Sequence, residues 1–81
     1  MAIIKPITTE KAIRLIELEN TILLQVDNKD NKEQIAKNMK EIFKVKVKKV
    51  NIVNRGNKKI AYITLDKKNP AIDIATKLGM I

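Results

Sequence analysis

Residues 44–65 read KVKVKKVNIVNRGNKKIAYITL, and no other stretch limits the possible folds as strongly. In its first half Val50 and Ile52 fall on one side of an extended chain and Lys49, Asn51, Val53 and Arg55 on the other. In its second half Ala61, Ile63 and Leu65 alternate with Ile60, Tyr62 and Thr64. Period two is the signature of a strand, because successive side chains point to opposite faces. Between the halves, NRGNK reads as a tight turn with Gly56 free to take positive φ. The segment is thus an antiparallel hairpin with one apolar face, and that face requires a second layer to cover it.

The remaining sequence supplies the cover. Asn31 followed by Gln34 makes a capping-box pattern, after which Ile35, Ala36, Met39, Ile42 and Phe43 recur on one helix face. Lys32, Lys37, Lys40 and Glu41 take the other side, with Glu33–Lys37 and Lys37–Glu41 as i,i+4 pairs. Upstream, Lys5-Pro6-Ile7 is extended, because proline disfavours helix in the residue before it. Thr8 and Thr9 are candidate N-caps, Glu10 suits the first helical turn, and Ala12, Ile13, Leu15 and Ile16 give a short amphipathic helix ending near Asn20. TILLQV, residues 21–26, reads as a strand. Asn69 as N-cap and Pro70 as first helical residue open a last helix that buries Ala71, Ile74, Ala75 and Leu78 and stops at Gly79.

The order is α-β-α-β-β-α. It predicts an α+β fold: a three-stranded mixed sheet, made of one βαβ unit plus an antiparallel hairpin strand, with all helices on one face, of the ferredoxin-like or split βαβ type. The other face stays open and carries Thr21, Leu23, Gln25, Lys49, Asn51, Val53, Arg55, Ile60, Tyr62 and Thr64. At 81 residues the chain reads as one domain, 1–81. A chain that short buries only about 60 to 65% of its unfolded surface, so its core is modest.

Catalysis is poorly supplied. There is no His, Cys or Ser, which removes the commonest general base and the two commonest nucleophiles. No Asp or Glu cluster has metal-ligand spacing, and two glycines in the whole chain exclude a P-loop or dinucleotide fingerprint. The expectation is a protein with no enzymatic activity, no small-molecule substrate, no cofactor and no metal. No apolar run approaches the roughly 20 residues that span a bilayer, and the first residues lack signal-peptide order, so a cytoplasmic protein without direct membrane insertion is expected.

Charge gives the positive argument. Seventeen Lys plus Arg against nine Asp plus Glu leave +8, which makes a polyanion the default partner. Seven of those basic residues, Lys44, Lys46, Lys48, Lys49, Arg55, Lys58 and Lys59, fall within residues 44–59, where there is no acid. A strand repeats side chains about 6.6 Å apart along one face, a spacing on the scale of successive phosphates. Edge-strand lysines also deter sheet-to-sheet aggregation, which accounts for two or three of them rather than seven. Asn51, Asn54 and Asn57 offer contacts to sugars or base edges, although an asparagine at position 57 also suits a turn. RNA-recognition modules stack bases on two or three strand aromatics, and this face has only Tyr62, which either stacks on a base or packs. Phosphate and 2′-OH contacts to an already folded RNA are therefore favoured over reading a single strand.

KPITTEKA, NTILLQVD, a helix ending in EIF, VNIVNR, KKIAYITL and AIDIATKLGMI, in that order, cover nearly the whole chain. Together they resemble the family of ribosomal protein twenty-three of the large subunit, in its archaeal form. The resemblance implies a structural component of the large ribosomal subunit that binds the third domain of large-subunit rRNA beside the polypeptide exit tunnel. It adds Lys5, Thr8, Thr9 and Lys11 to Lys46, Lys48, Lys49, Asn51, Arg55, Asn57, Lys58, Lys59 and Tyr62 as RNA-binding positions. It implies docking of targeting factors at Glu10, Phe43 and Lys44, with the signal recognition particle and the protein-conducting channel as partners, and ribosomal protein twenty-nine of the large subunit as neighbour. Phe43 has a second reading as a core residue, since it completes the stripe of Ile35, Met39 and Ile42. Bacterial relatives often carry an acid after the Phe where Lys44 stands, so chaperone docking of the bacterial kind does not carry over. They also extend a long hairpin into the tunnel, whereas only NRGN joins the two strands here. A free regulator that binds structured RNA is the alternative function; unlike a ribosomal component, it would leave the large subunit in a high-salt wash.

Overall fold

In the computed structural model, which describes residues 3–79, the chain runs β1 (Ile3–Pro6), α1 (Glu10–Glu19), β2 (Thr21–Val26), α2 (Lys32–Phe43), β3 (Val47–Arg55), β4 (Lys58–Leu65) and α3 (Ala71–Lys77). The last two residues of the closing AIDIATKLGMI stretch lie outside the described residues. The four strands form one sheet in the order β1-β2-β4-β3, with every neighbouring pair antiparallel. The three helices are as expected, but the sheet differs from the expectation twice: it has four strands rather than three, and it is antiparallel rather than mixed.

Both differences have a physical reason. β1 pairs with β2 through Ile3↔Val26, Lys5↔Gln25 and Pro6↔Leu24, with a shift in register between Ile3 and Lys5. Four residues with a proline give no alternating signal, and an edge strand tolerates a residue that cannot donate to the ladder. β4 then inserts between β2 and β3, so these two run parallel without touching, and α2 crosses over the strand between them. β4 buries Ile60, Ala61, Ile63 and Leu65, whereas β3 exposes Lys48, Lys49, Asn51 and Arg55. The apolar strand takes the centre, where both edges are paired and one face lies under the helices, and the charged strand takes an edge, where lysines block further pairing.

Two of the three helices start for a local reason. The Thr9 hydroxyl accepts a hydrogen bond from Ala12 N at 3.2 Å and caps α1. Asn31 accepts from Gln34 N at 2.8 Å while Gln34 accepts from Asn31 N at 3.2 Å, so the capping box at α2 is formed in full. α3 is capped differently from the sequence expectation. Pro70 lies before the first helical residue and has no capping side chain. Ala71 N instead donates to Oδ1 of Asn20, at 2.6 Å. Asn69, expected to cap α3, accepts from Lys46 N at 2.9 Å and fixes the start of the β3 segment.

Asn20 therefore binds three parts of the chain together. It ends α1 in the left-handed region at φ 51°, and its amide nitrogen reaches the carbonyls of Leu65, Asp66 and Asn69, each at 3.1 Å. A side chain that both donates and accepts is required here, and the left-handed backbone suits asparagine.

The helices cover one face of the sheet. Ile16 of α1, Ile35 and Met39 of α2, and Ala71, Ile74 and Ala75 of α3 pack with Ile22, Leu24, Val26, Val50, Ala61, Ile63 and Leu65. Phe43 is half-buried against this core, which supports its reading as a packing residue, while Ile42 is 53% exposed and leaves the predicted stripe. Among the described residues no ion pair links Glu33, Lys37 and Glu41; the pair that forms is Arg14–Glu10, at 3.7 Å.

Candidate nucleic-acid interface

Cross-strand register decides which polar side chains share the uncovered face. β2 pairs Thr21 with Thr64, Leu23 with Tyr62 and Gln25 with Ile60; β3 pairs Lys49 with Thr64, Asn51 with Tyr62, Val53 with Ile60 and Arg55 with Lys58. Paired residues point the same way, and Lys5, opposite Gln25, joins them. The open face thus carries Lys5, Lys49, Arg55 and Lys58, all exposed, and no carboxylate among its strand residues. From β1 to β3 the array spans three strand spacings, about 14 Å.

The centre of that face is apolar. Leu23 and Ile60 are buried on the two inner strands, and Tyr62 between them is half-buried, with one side toward Leu23 and the other toward Asn51. The hydroxyls of Thr21 and Thr64 lie 3.0 Å apart, and Thr21 also donates to the carbonyl of Glu19 at 3.0 Å. Asn57 follows Gly56 in the two-residue turn between Arg55 and Lys58. Gly56 has φ +60° while Asn57 does not have positive φ, the pattern of a type II′ hairpin turn.

The cations of residues 44–59 do not all meet on this face. Lys59 is out of phase with Lys58 and points to the helix side, where its ammonium donates to the carbonyls of Asn28 and Asp30 and ties the β2–α2 loop to β4. Its parity with Ala61 and Ile63 was visible in the sequence. Lys48 sits in the register shift between Val47 and Lys49. Lys46 precedes β3; its carbonyl accepts from Asp66 N at 2.9 Å, and it lines a groove of about 690 Å³ with Ala36, Lys37, Lys40, Lys44, Val45, Val47 and Asn69. Lys37 and Lys40 are functional candidates that sequence reading passed over, although with Lys44 they recur at helical spacing.

The residues before and in α1 are arranged separately. Thr8 is exposed, and Thr9 is occupied as the cap of α1. Glu10 and Lys11 line a shallow depression with Arg14, and Lys44 lines the other groove. Asp66, beside Lys46, is held below its ordinary range of 3.8, chiefly by the hydrogen bond from Lys68 N; partial burial opposes this, and the charges of Lys46, Lys68 and Lys48 assist it. No group of His, Cys, Asp or Glu among the described residues has a metal-binding arrangement. No described helix is long and apolar enough to cross a membrane.

Residues 1–71 match the pattern of the ribosomal protein L23 family. The chain belongs to that family. Its relatives include large ribosomal subunit protein uL23 of Pyrobaculum aerophilum, 48% identical over 77 residues that make up 93% of this chain and 94% of the relative. The proteins of the same name from Dictyostelium discoideum and Tetrahymena thermophila are 46% and 42% identical over 78 residues, 94% of this chain. Those two are longer, and the match spans 46% and 51% of them. The correspondence with the Pyrobaculum protein agrees with the archaeal form of the L23 family. Membership makes the chain a structural, non-enzymatic protein of the large ribosomal subunit, located with the ribosome in the cytoplasm.

Proposed function

We propose that the chain, acting as a single domain, binds the third domain of large-subunit rRNA beside the exit of the polypeptide tunnel and grips it through the open face of its sheet. Lys5, Lys49, Arg55 and Lys58 on a rigid four-stranded scaffold with no carboxylate among them carry this reading. Fixed cations on one face release condensed counterions when they meet a phosphate backbone, and the unsatisfied repulsion between them in the free protein is relieved at the same time. Asn51, Asn57 and Tyr62 add polar and flat surface among them, and Lys46 and Lys48 extend the cationic edge along β3. Thr8 and Lys11, exposed near the start of α1, extend the contact, while Thr9 holds α1 in place.

The resemblance of Glu10, Phe43 and Lys44 to a family docking motif supports a contribution to the landing site for the signal recognition particle and the protein-conducting channel, with ribosomal protein twenty-nine as neighbour. The half-burial of Phe43 leaves part of its ring available.

The test is a salt titration of binding to a large-subunit rRNA fragment, with the Lys49→Ala, Arg55→Ala double variant beside the unaltered chain. Removing two phosphate contacts makes the slope of log K against log salt shallower by about 1.4 to 1.8. An unchanged slope would take the open face out of the interface.

A further inference from the structure

At one end of the open face lies a hollow of about 340 Å³, lined by Leu15 and Glu19 of α1, Thr21 of β2, Lys49 and Asn51 of β3, and Tyr62 and Thr64 of β4. We infer that this hollow receives a single unpaired guanine base of the bound RNA. The inference rests on reading the open face as an RNA surface, and it adds one base-specific site to a contact otherwise made to the backbone.

The size and the walls both fit a nucleobase. Tyr62 supplies a half-exposed aromatic side chain and Leu15 an apolar wall, the surroundings in which splayed RNA bases stack. The two threonine hydroxyls hold each other at 3.0 Å and fix the floor. Glu19 and Lys49, whose side chains end in a carboxylate and an ammonium, are both among the residues that line the hollow, and among the described residues no ion pair joins them. Both are left to meet whatever enters.

Donor and acceptor pattern selects the base. An ionised carboxylate only accepts hydrogen bonds, and it accepts two side by side. Guanine alone offers two adjacent donors, N1–H and the N2 amino group, on its Watson–Crick edge. Adenine and cytosine place one amino group beside an acceptor nitrogen, and uracil places one N–H between two carbonyls. Asn51 and Lys49 then face the guanine O6 and the attached phosphate, where donors are needed.

The experiment follows backbone amide NMR signals of the full chain during titration with guanosine, inosine, adenosine, cytidine and uridine 5′-monophosphates. Guanosine monophosphate should perturb Thr21, Asn51, Tyr62 and Thr64 and bind about tenfold more tightly than the adenine, cytosine and uracil nucleotides. Inosine monophosphate, which lacks the N2 amino group, should fall between them. Glu19→Gln should remove the preference; the Glu19 side chain is exposed and its backbone bond to Thr21 does not depend on it. Equal binding of all five nucleotides, no binding at all, or an unchanged preference in Glu19→Gln would overturn the guanine site. The rRNA salt slope is measured in parallel: a retained slope with no guanine preference rejects the hollow alone, and loss of rRNA binding by the unaltered chain rejects the broader reading.

Discussion

Replacing Asn20 by alanine tests the packing logic of the fold most severely, because one side chain serves three elements. Its amide nitrogen reaches the carbonyls of Leu65, Asp66 and Asn69 at 3.1 Å, and its oxygen accepts from Ala71 N at 2.6 Å. The two amide hydrogens share three acceptors, so the net loss is about three hydrogen bonds of about 1 kcal/mol each. Asn20 also holds φ 51°, where an alanine costs about 1 to 2 kcal/mol. The total, about 4 to 5 kcal/mol, compares with roughly 4 to 12 kcal/mol for the entire stability of a chain this long. Urea unfolding followed by circular dichroism should show that loss, with Tm down by about 15 °C or more. Asn20→Gly separates the two contributions: glycine keeps the left-handed backbone without strain and should lie about 1 kcal/mol above the alanine variant. A loss under about 1 kcal/mol for Asn20→Ala, or identical values for Ala and Gly, would refute the assignment.

Lys58 and Lys59 are adjacent but face opposite ways, so Lys58→Ala should make the rRNA salt slope shallower by about 0.7 to 0.9, whereas Lys59→Ala should leave it unchanged and lower stability by about 1 kcal/mol in urea unfolding. Gly56 takes φ +60° with open space around it, so Gly56→Ala should cost about 1 kcal/mol from backbone strain alone, read in the same assay. Folding lowers the pKa of Asp66 below 3.8, so its contribution to stability is complete well above 3.8 and disappears as pH falls through the lower folded value. Asp66→Asn should remove that part of the acid dependence in unfolding curves measured down the pH scale.

Periodicity and capping chemistry made most elements legible. The alternation in residues 49–55 and 60–65 placed both hairpin strands and the correct faces, and Asn31 with Gln34 placed the start of α2. Strand order was not legible in the same way, because a pattern of faces says nothing about which edge receives the return strand. The relative polarity of the two strands held that information: a strand burying four of its residues cannot remain at an edge as cheaply as one exposing three cations. The cap of α3 was illegible for a related reason, since it comes from Asn20, 51 positions away in sequence. On the candidate interface, parity separated Lys58 from Lys59, but only the register with β2 brought Lys5 onto the same face.

The geometry of the open face also bears on how the free protein behaves. Arg55 and Lys58 are directly opposite each other across the hairpin, and Lys49 lies on the same face of the same edge strand. Like charges in register are destabilising, and the repulsion is screened with a Debye length of about 10 Å at 0.1 M salt. Raising a non-denaturing salt such as potassium chloride from about 0.01 to 0.3 M should therefore raise Tm for the free chain, a range over which screening changes most. On the proposed rRNA contact, the same change should weaken binding, because salt competes for the phosphates. Opposite salt responses of stability and binding follow from one set of cations, and the Lys49→Ala, Arg55→Ala variant should reduce both together. If stability fell with salt, or if only one response shrank in that variant, the repelling charges and the RNA-binding charges would be different groups.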